Sequence, residues 1–134
     1  MRFLGVDYGS SRTGLALSDP LGVTCRPLAV LFERDQGRLI FGILRATEEQ
    51  EVGRIVVGLP RPLSGETNRQ MRTVLDFVER LEAETTLPVL TWDERFTTSL
   101  AEKGRSRNEA QDAIAACYML QSYLDALTNT TKGG

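Results

Sequence analysis

The sequence predicts an α/β fold, a mixed sheet with helices packed on its faces, and two observations carry that prediction. Three strand-like runs follow one another at the start, which sets up antiparallel pairing. From there helical and strand-like segments alternate, and βα crossovers of that kind return the chain to a parallel neighbour. The chain has 134 residues and no internal repeat or linker, so one domain is expected. Its boundaries are set at residues 1–127, with a flexible polar tail, TNTTKGG, at 128–134.

The opening RFLGVDYG is an apolar run with glycine on both sides of Asp7, and GLALSD follows the turn SSRTG, so the two read as a hairpin. A third strand is expected within residues 23–32, where Pro27 demands an edge position or a bulge. From Asp35 to about Glu51, Leu39, Ile40, Ile43 and Leu44 recur at helical spacing. RIVVGLP is a short buried strand stopped by Pro60, and RPLSGET is its loop. Thr67 with Gln70 forms a capping-box pattern for a second helix, whose stripe is Met71, Val74, Leu75, Val78 and Leu81. LPVLTW is the fifth strand, and a last long helix is expected from Asn108 to about Leu127.

Composition narrows the chemistry. The chain is 41% hydrophobic and 25% charged, an ordinary globular balance. It lacks an apolar run of the ~20 residues that a membrane helix needs, so a cytoplasmic protein is expected. There is no histidine, which removes Ser-His-Asp and Cys-His schemes together with the commonest general base. Hydrolysis here would have to rest on carboxylates, metal ions or both. Cys25 and Cys117 lie far apart in sequence with no CxxC, and both are expected to be core thiols. The net charge of −2 argues weakly against a nucleic-acid partner, but 14 of the 16 basic residues are arginine, the side chain suited to bidentate phosphate contact. Arg95, Lys103, Arg105 and Arg107 face only Glu102 between residues 95 and 107, so a local basic stripe can exist on an acidic molecule.

Acidic residues stand out at three sites. Asp7 interrupts a strand-like run, where an unpartnered carboxylate is costly. It either accepts backbone hydrogen bonds from the SSRTG turn or stands at the sheet surface as a metal ligand or base. Asp112 falls on the same side of its helix as Ala115, Ala116, Met119 and Tyr123, so it heads the apolar face, although an anion in the first turns is also favoured by the macrodipole. Asp93 and Glu94 follow the fifth strand. Two carboxylates ~4 Å apart repel by about 4 kcal/mol at an effective dielectric of 20, so a cluster needs a cation or shared protons. Oxygen ligands without His or Cys select Mg²⁺ or Mn²⁺. DYGSSRTG lacks the GxxxxGK[ST] pattern and leads into a strand, so neither a P-loop nor a dinucleotide fingerprint fits. Arg61 could touch phosphate or belong to plain turn chemistry, and Trp92 and Tyr8, flanking the acids, could stack on a base or pack.

The blocks LGVDYGSSRTGLALSDPLG, VVGLPRPLSGE, WDERFTT and DAIAACYMLQSYLD resemble, in that order, those of the YqgF (RuvX) family of RNase H-like proteins, over nearly the whole chain. The resemblance implies an RNase H-like fold, a five-stranded mixed sheet of order 3-2-1-4-5 with strand 2 antiparallel and helices on both faces. It implies a divalent-metal nuclease of the kind assigned to Holliday junctions and to the 5′ end of pre-16S ribosomal RNA. Carried over by position, the catalytic and metal-binding acids are Asp7, Glu94 and Asp112, with Asp93 in reserve and Mg²⁺ or Mn²⁺ as cofactor. Arg12, Arg61, Arg95, Lys103, Arg105 and Arg107 are the expected nucleic-acid contacts. One departure is visible: only residues 95–111 separate DER from the last block, where family members have a longer Lys/Arg-rich segment. The partner this implies is precursor ribosomal RNA or branched DNA, with a monomer or homodimer as the expected assembly. An actin-like ATPase is the weaker reading, because those proteins enclose ATP between two such domains. A non-catalytic nucleic-acid or ribosome-assembly partner is a further alternative that the acidic charge keeps open.

Overall fold

The computed structural model describes residues 1–60, 68–94 and 109–133. Its elements run β1 (Arg2–Asp7), β2 (Arg12–Ser18), β3 (Cys25–Phe32), α1 (Gln36–Glu49), β4 (Val52–Leu59), α2 (Arg69–Ala83), β5 (Val89–Asp93) and α3 (Glu109–Gly133). The strands form one sheet of order β3-β2-β1-β4-β5. β1 pairs antiparallel with β2 and parallel with β4, β4 pairs parallel with β5, and β3 pairs antiparallel with β2. β2 is thus the one strand running against the others, as the expected topology requires.

Pro27 meets both of its constraints. β3 is an edge strand, and its register against β2 slips where Leu15 faces Ala29 but Ala16 faces Pro27, leaving Leu28 as the extra residue. Asp19 closes the β2–β3 turn by accepting from the backbone N–H groups of Val23 at 2.7 Å and Thr24 at 3.1 Å. Those bonds, Val23's first, hold its carboxyl below the ordinary carboxylate value.

Alternation along the strands sorts side chains between two cores. Leu4, Val6, Leu15 and Leu17 pack with Ile55 and Val57 under α1 and α2, whose Leu39, Ile40, Ile43, Val74, Phe77 and Leu81 complete that layer. Phe3, Ala16 and Val56 point to the other face and pack with Ala116, Met119, Leu120, Tyr123 and Leu124 of α3. Two details of the sequence reading change. The cap of α2 is Asn68, whose side-chain oxygen accepts from the Met71 N–H at 2.8 Å, one residue beyond the expected Thr67, which lies outside the described residues. Leu75 is exposed and Phe77 is fully buried. These two flank the stripe at equal angles, and the stack of Phe77 on Tyr8, with centroids 4.3 Å apart, favours the aromatic side.

α3 continues to Gly133, past the Leu127 boundary expected from composition. Thr128 is bound into the helix by donating its hydroxyl to the Leu124 carbonyl at 3.1 Å. Cys25 and Cys117 pack at the margin of the α3 core as free thiols, each half-buried, and their sulfurs lie 3.2 Å apart. Ninety-odd residues of sequence separation therefore conceal a spatial pair. Burial and the neighbouring thiol raise the Cys25 pKa well above its ordinary value.

Candidate active site

Asp7 is the last residue of β1, and the alternation that sends Phe3 toward α3 sends Asp7 there too. The loop that follows is held shut by Thr13, a fully buried residue of β2. Its hydroxyl accepts from the Gly9 N–H at 3.3 Å and donates to the Gly9 carbonyl at 3.4 Å. The SSRTG turn thereby becomes a fixed rim beside the carboxylate.

Asp112 comes to the same place from the first turns of α3, and only because Gly14 lets the helix in. A Cβ on Gly14 would lie 2.1 Å from the backbone oxygen of Asp112. Gly14 is also the residue paired with Asp7 across the β1–β2 ladder. One glycine thus brings the start of α3 over the strand partner of the first acid. The Asp112 residue is 6% exposed, and its Oδ2 lies 3.0 Å from Nε of Arg12. A carboxylate that buried needs a cationic neighbour, and Arg12 supplies it from the next inward position of β2.

Glu94 arrives from the far side, immediately after β5. β4 stands between β5 and β1, and Glu94 crosses it: its Oε2 would be 2.9 Å from a Cβ on Gly58 of β4. The missing side chain at Gly58 is the gap through which this carboxylate reaches the centre of the sheet.

Asp7, Glu94 and Asp112 consequently line one cleft of about 450 Å³, together with Arg12 and the loop residues Ser10 and Ser11. Its walls are mostly polar, as suits a charged ligand. Among the described residues no three His, Cys, Asp or Glu side chains are arranged to hold a single metal ion. The donor set nevertheless has the right chemistry for a hard divalent cation, three carboxylates with no nitrogen or sulfur ligand, and the Arg12 guanidinium already provides positive charge at one of them.

The other expected residues divide. Arg12 is in the cleft, while Arg61, Arg95, Lys103, Arg105 and Arg107 lie outside the described residues. So does the shortened segment before the last block. Asp93 ends β5 and does not line the cleft. Tyr8 lines it, with its ring stacked on Phe77 and its hydroxyl accepting from Gln36 Nε2 at 3.4 Å. Trp92 is turned away into the α3 core, edge-on to Tyr123 at 5.5 Å and donating its indole N–H to Ser122 at 3.0 Å. Gln70, read from sequence as half of a cap, instead lines the cleft. Its place in the first turn of α2, after a Gly/Pro-rich loop, was the available signal.

A family profile described as "RuvX: Holliday junction resolvase" matches residues 1–126. The chain belongs to the RuvX family. A relative from Desulforudis audaxviator named "Putative pre-16S rRNA nuclease" is 39% identical over 142 aligned residues, covering 100% of this chain and 98% of the relative. A relative of the same name from Listeria monocytogenes is 40% identical over 136 residues, covering 93% and 98%. In three dimensions this RuvX chain resembles RuvC of Thermus thermophilus, with a TM-score of 0.63 at 15% identity and coverage of 97% and 98%. It also resembles the fowlpox virus resolvase solved with Holliday junction DNA, with a TM-score of 0.58 at 11% identity and coverage of 95% and 99%. At those identities the likeness establishes the RNase H-like fold, in agreement with the sheet order and strand directions described above.

Proposed function

We propose that this RuvX protein is a cytoplasmic, divalent-metal-dependent nuclease, with residues 1–127 as its catalytic domain and the 5′ end of pre-16S ribosomal RNA as its substrate. The observation that carries the reading is the convergence of Asp7, Glu94 and Asp112, from three separate elements, on one polar cleft. The names of its full-length relatives favour the ribosomal substrate. The family description favours four-way DNA junctions as the second reading. Cutting a junction symmetrically calls for a homodimer with two opposed sites, whereas end processing is open to a monomer.

In this reading Asp7, Glu94 and Asp112 would hold the divalent cations, Mg²⁺ or Mn²⁺, that a two-metal hydrolysis uses. When bound, the ions supply an activated water and stabilise the leaving oxygen. The chain's own contribution is placement. Asp7 and Glu94 would orient the water's protons away from phosphorus, and Arg12 holds the Asp112 carboxylate in place through its ion pair. The rigid Ser10–Ser11 rim fixes the strand against rotation. Water attacks phosphorus, the 3′ oxygen departs and takes up a proton, and the products are a 5′-phosphate and a 3′-hydroxyl.

Asp7→Asn tests the site. Cleavage is expected to vanish while the thermal melt stays level or rises slightly, since removing one charge relieves repulsion among the acids. Cleavage by that variant at the wild-type rate would refute the assignment. Offering precursor RNA and a mobile four-way junction side by side with Mn²⁺ separates the two substrates. Titration with Mg²⁺ or Mn²⁺ should raise the melting temperature of the wild type and not of Asp7→Asn.

A further inference from the structure

The cleft does not end at Arg12. A second groove of about 520 Å³, lined by Ser11, Arg12, Phe32, Glu33 and Arg34, shares Ser11 and Arg12 with it and carries the depression out to the β3 edge of the sheet. Arg12 and Phe32 are register partners across β2 and β3, and directly opposed residues of an antiparallel pair project from the same face. That face is fixed as the α3 side by the contact of Arg12 with Asp112. Phe32 therefore stands on the same side of the sheet, and at the same end, as the three acids.

Phe32 is 56% exposed. A solitary exposed phenylalanine is ordinary, and Phe41 on α1 is another at 65%. Phe32 differs in its surroundings. One of its flanking cations, Arg12, is itself a wall of the acidic cleft, and the other, Arg34, is exposed two residues farther along the chain. An aromatic surface between arginines, continuous with a site for phosphodiester chemistry, is the combination that binds single strands: the ring takes a base and the cations take the flanking phosphates. A duplex keeps its bases stacked inside and gains nothing from the ring.

Spacing agrees. β3 lies two strands from β1, and Phe32 stands two residues beyond the level of Asp7, so at about 4.8 Å per strand and about 3.3 Å per residue it is roughly 12 Å away over the sheet. At about 3.4 Å per stacked nucleotide that is between about three and four nucleotides from the scissile position. We propose that Phe32, between Arg12 and Arg34, is a stacking platform for an unpaired base within about four nucleotides of the bond to be cut, so that this protein engages a single-stranded stretch beside its cleavage site. This inference rests on the nuclease reading and adds the strandedness of the substrate to it.

The test uses the full chain, fluorescein-labelled RNA and DNA oligonucleotides of about a dozen unpaired nucleotides, and blunt duplexes of the same sequences. Phe32→Ala is expected to weaken binding of the single strand about tenfold by anisotropy, the loss of one base–aromatic stack, while changing duplex binding less than twofold. Phe32→Trp is expected to restore the affinity, with its indole fluorescence quenched by the bound strand. A thermal melt within about 2 °C of wild type shows that the exposed position has not cost the fold. Unchanged single-strand affinity in Phe32→Ala overturns the inference, as does a loss shared equally by the duplexes. So does a change in self-association on sizing with oligonucleotide affinity intact, which would make Phe32 a contact between copies. Wild-type protein that binds the strands through Phe32 yet cleaves neither RNA nor DNA would refute the nuclease reading while supporting the platform.

Discussion

Replacing Gly14 by alanine adds one methyl group where the protein has no room for it. The new Cβ would lie 2.1 Å from the Asp112 carbonyl oxygen and 2.6 Å from its carbonyl carbon, whereas ordinary contact begins near 3.4 Å. The obstacle is backbone at the start of a helix, so no rotamer change relieves it, and α3 must retreat from β2 by about 1.3 Å. Such a retreat opens the layer in which Ala16 packs with Ala116 and Leu120. Overpacking costs about 1–3 kcal/mol, and lost contacts along the helix bring the total to roughly 2–4 kcal/mol. Urea unfolding followed by circular dichroism reads this as a fall in midpoint at constant slope, and a thermal scan as a drop on the order of 10 °C. Gly58→Ala is the control. Its Cβ would meet Glu94 Oε2 at 2.9 Å and Met119 Cγ at 3.1 Å, both on flexible side chains. It is expected to cost about 1 kcal/mol or less while lowering cleavage at least tenfold, because the group that must give way is a proposed ligand. A Gly14→Ala protein within about 0.5 kcal/mol of wild type would refute the close-approach argument. A Gly58→Ala protein that cleaves normally would refute the route assigned to Glu94.

Other expectations follow from single contacts. Arg12→Ala leaves the buried Asp112 carboxylate without its guanidinium, and because Arg12 is 36% exposed the loss should be about 1–3 kcal/mol, with Arg12→Lys recovering part of it in the same urea assay. Cys25 is held as a neutral thiol by burial and by Cys117, its pKa raised above the ordinary 9.0. The folded chain then keeps a proton that the unfolded chain releases above that value, so this contribution to stability is whole below pH 9 and declines as pH rises further. Melting curves between pH 8 and 10.5 should show a shallower decline in Cys25→Ala than in wild type.

Much of the fold could be read because local and global preferences agree. β1, β2 and β4 are apolar runs bounded by turns, and α1 and α2 repeat at helical spacing, so pattern alone located them. One departure came where two residues were equally suited to one place and a tertiary contact chose between them, Phe77 over Leu75 on the stripe; the cap of α2 was settled locally, by the bond of Asn68 to the Met71 N–H. The thiol pair was hidden for another reason, since nothing in a chain's spacing reports that an edge strand and a distant helix will touch.

The acids were visible in sequence as anomalies, but what gathers them was not, because it consists of absent atoms. Asp7 needs only the alternation of a strand to face α3. Asp112 needs Gly14, and Glu94 needs Gly58, each a position in a neighbouring strand where a side chain would block the approach. A glycine within a strand sequence reads as a weakness or a bulge. Here the two glycines, with Gly5 of β1 beneath Leu120, set how near α3 and the end of β5 can come to the sheet's centre, and hence whether three carboxylates share a cleft or merely a protein. The RNase H-like topology puts the ends of β1, β4 and β5 side by side; the close packing permitted at β2 and β4 turns that adjacency into a site.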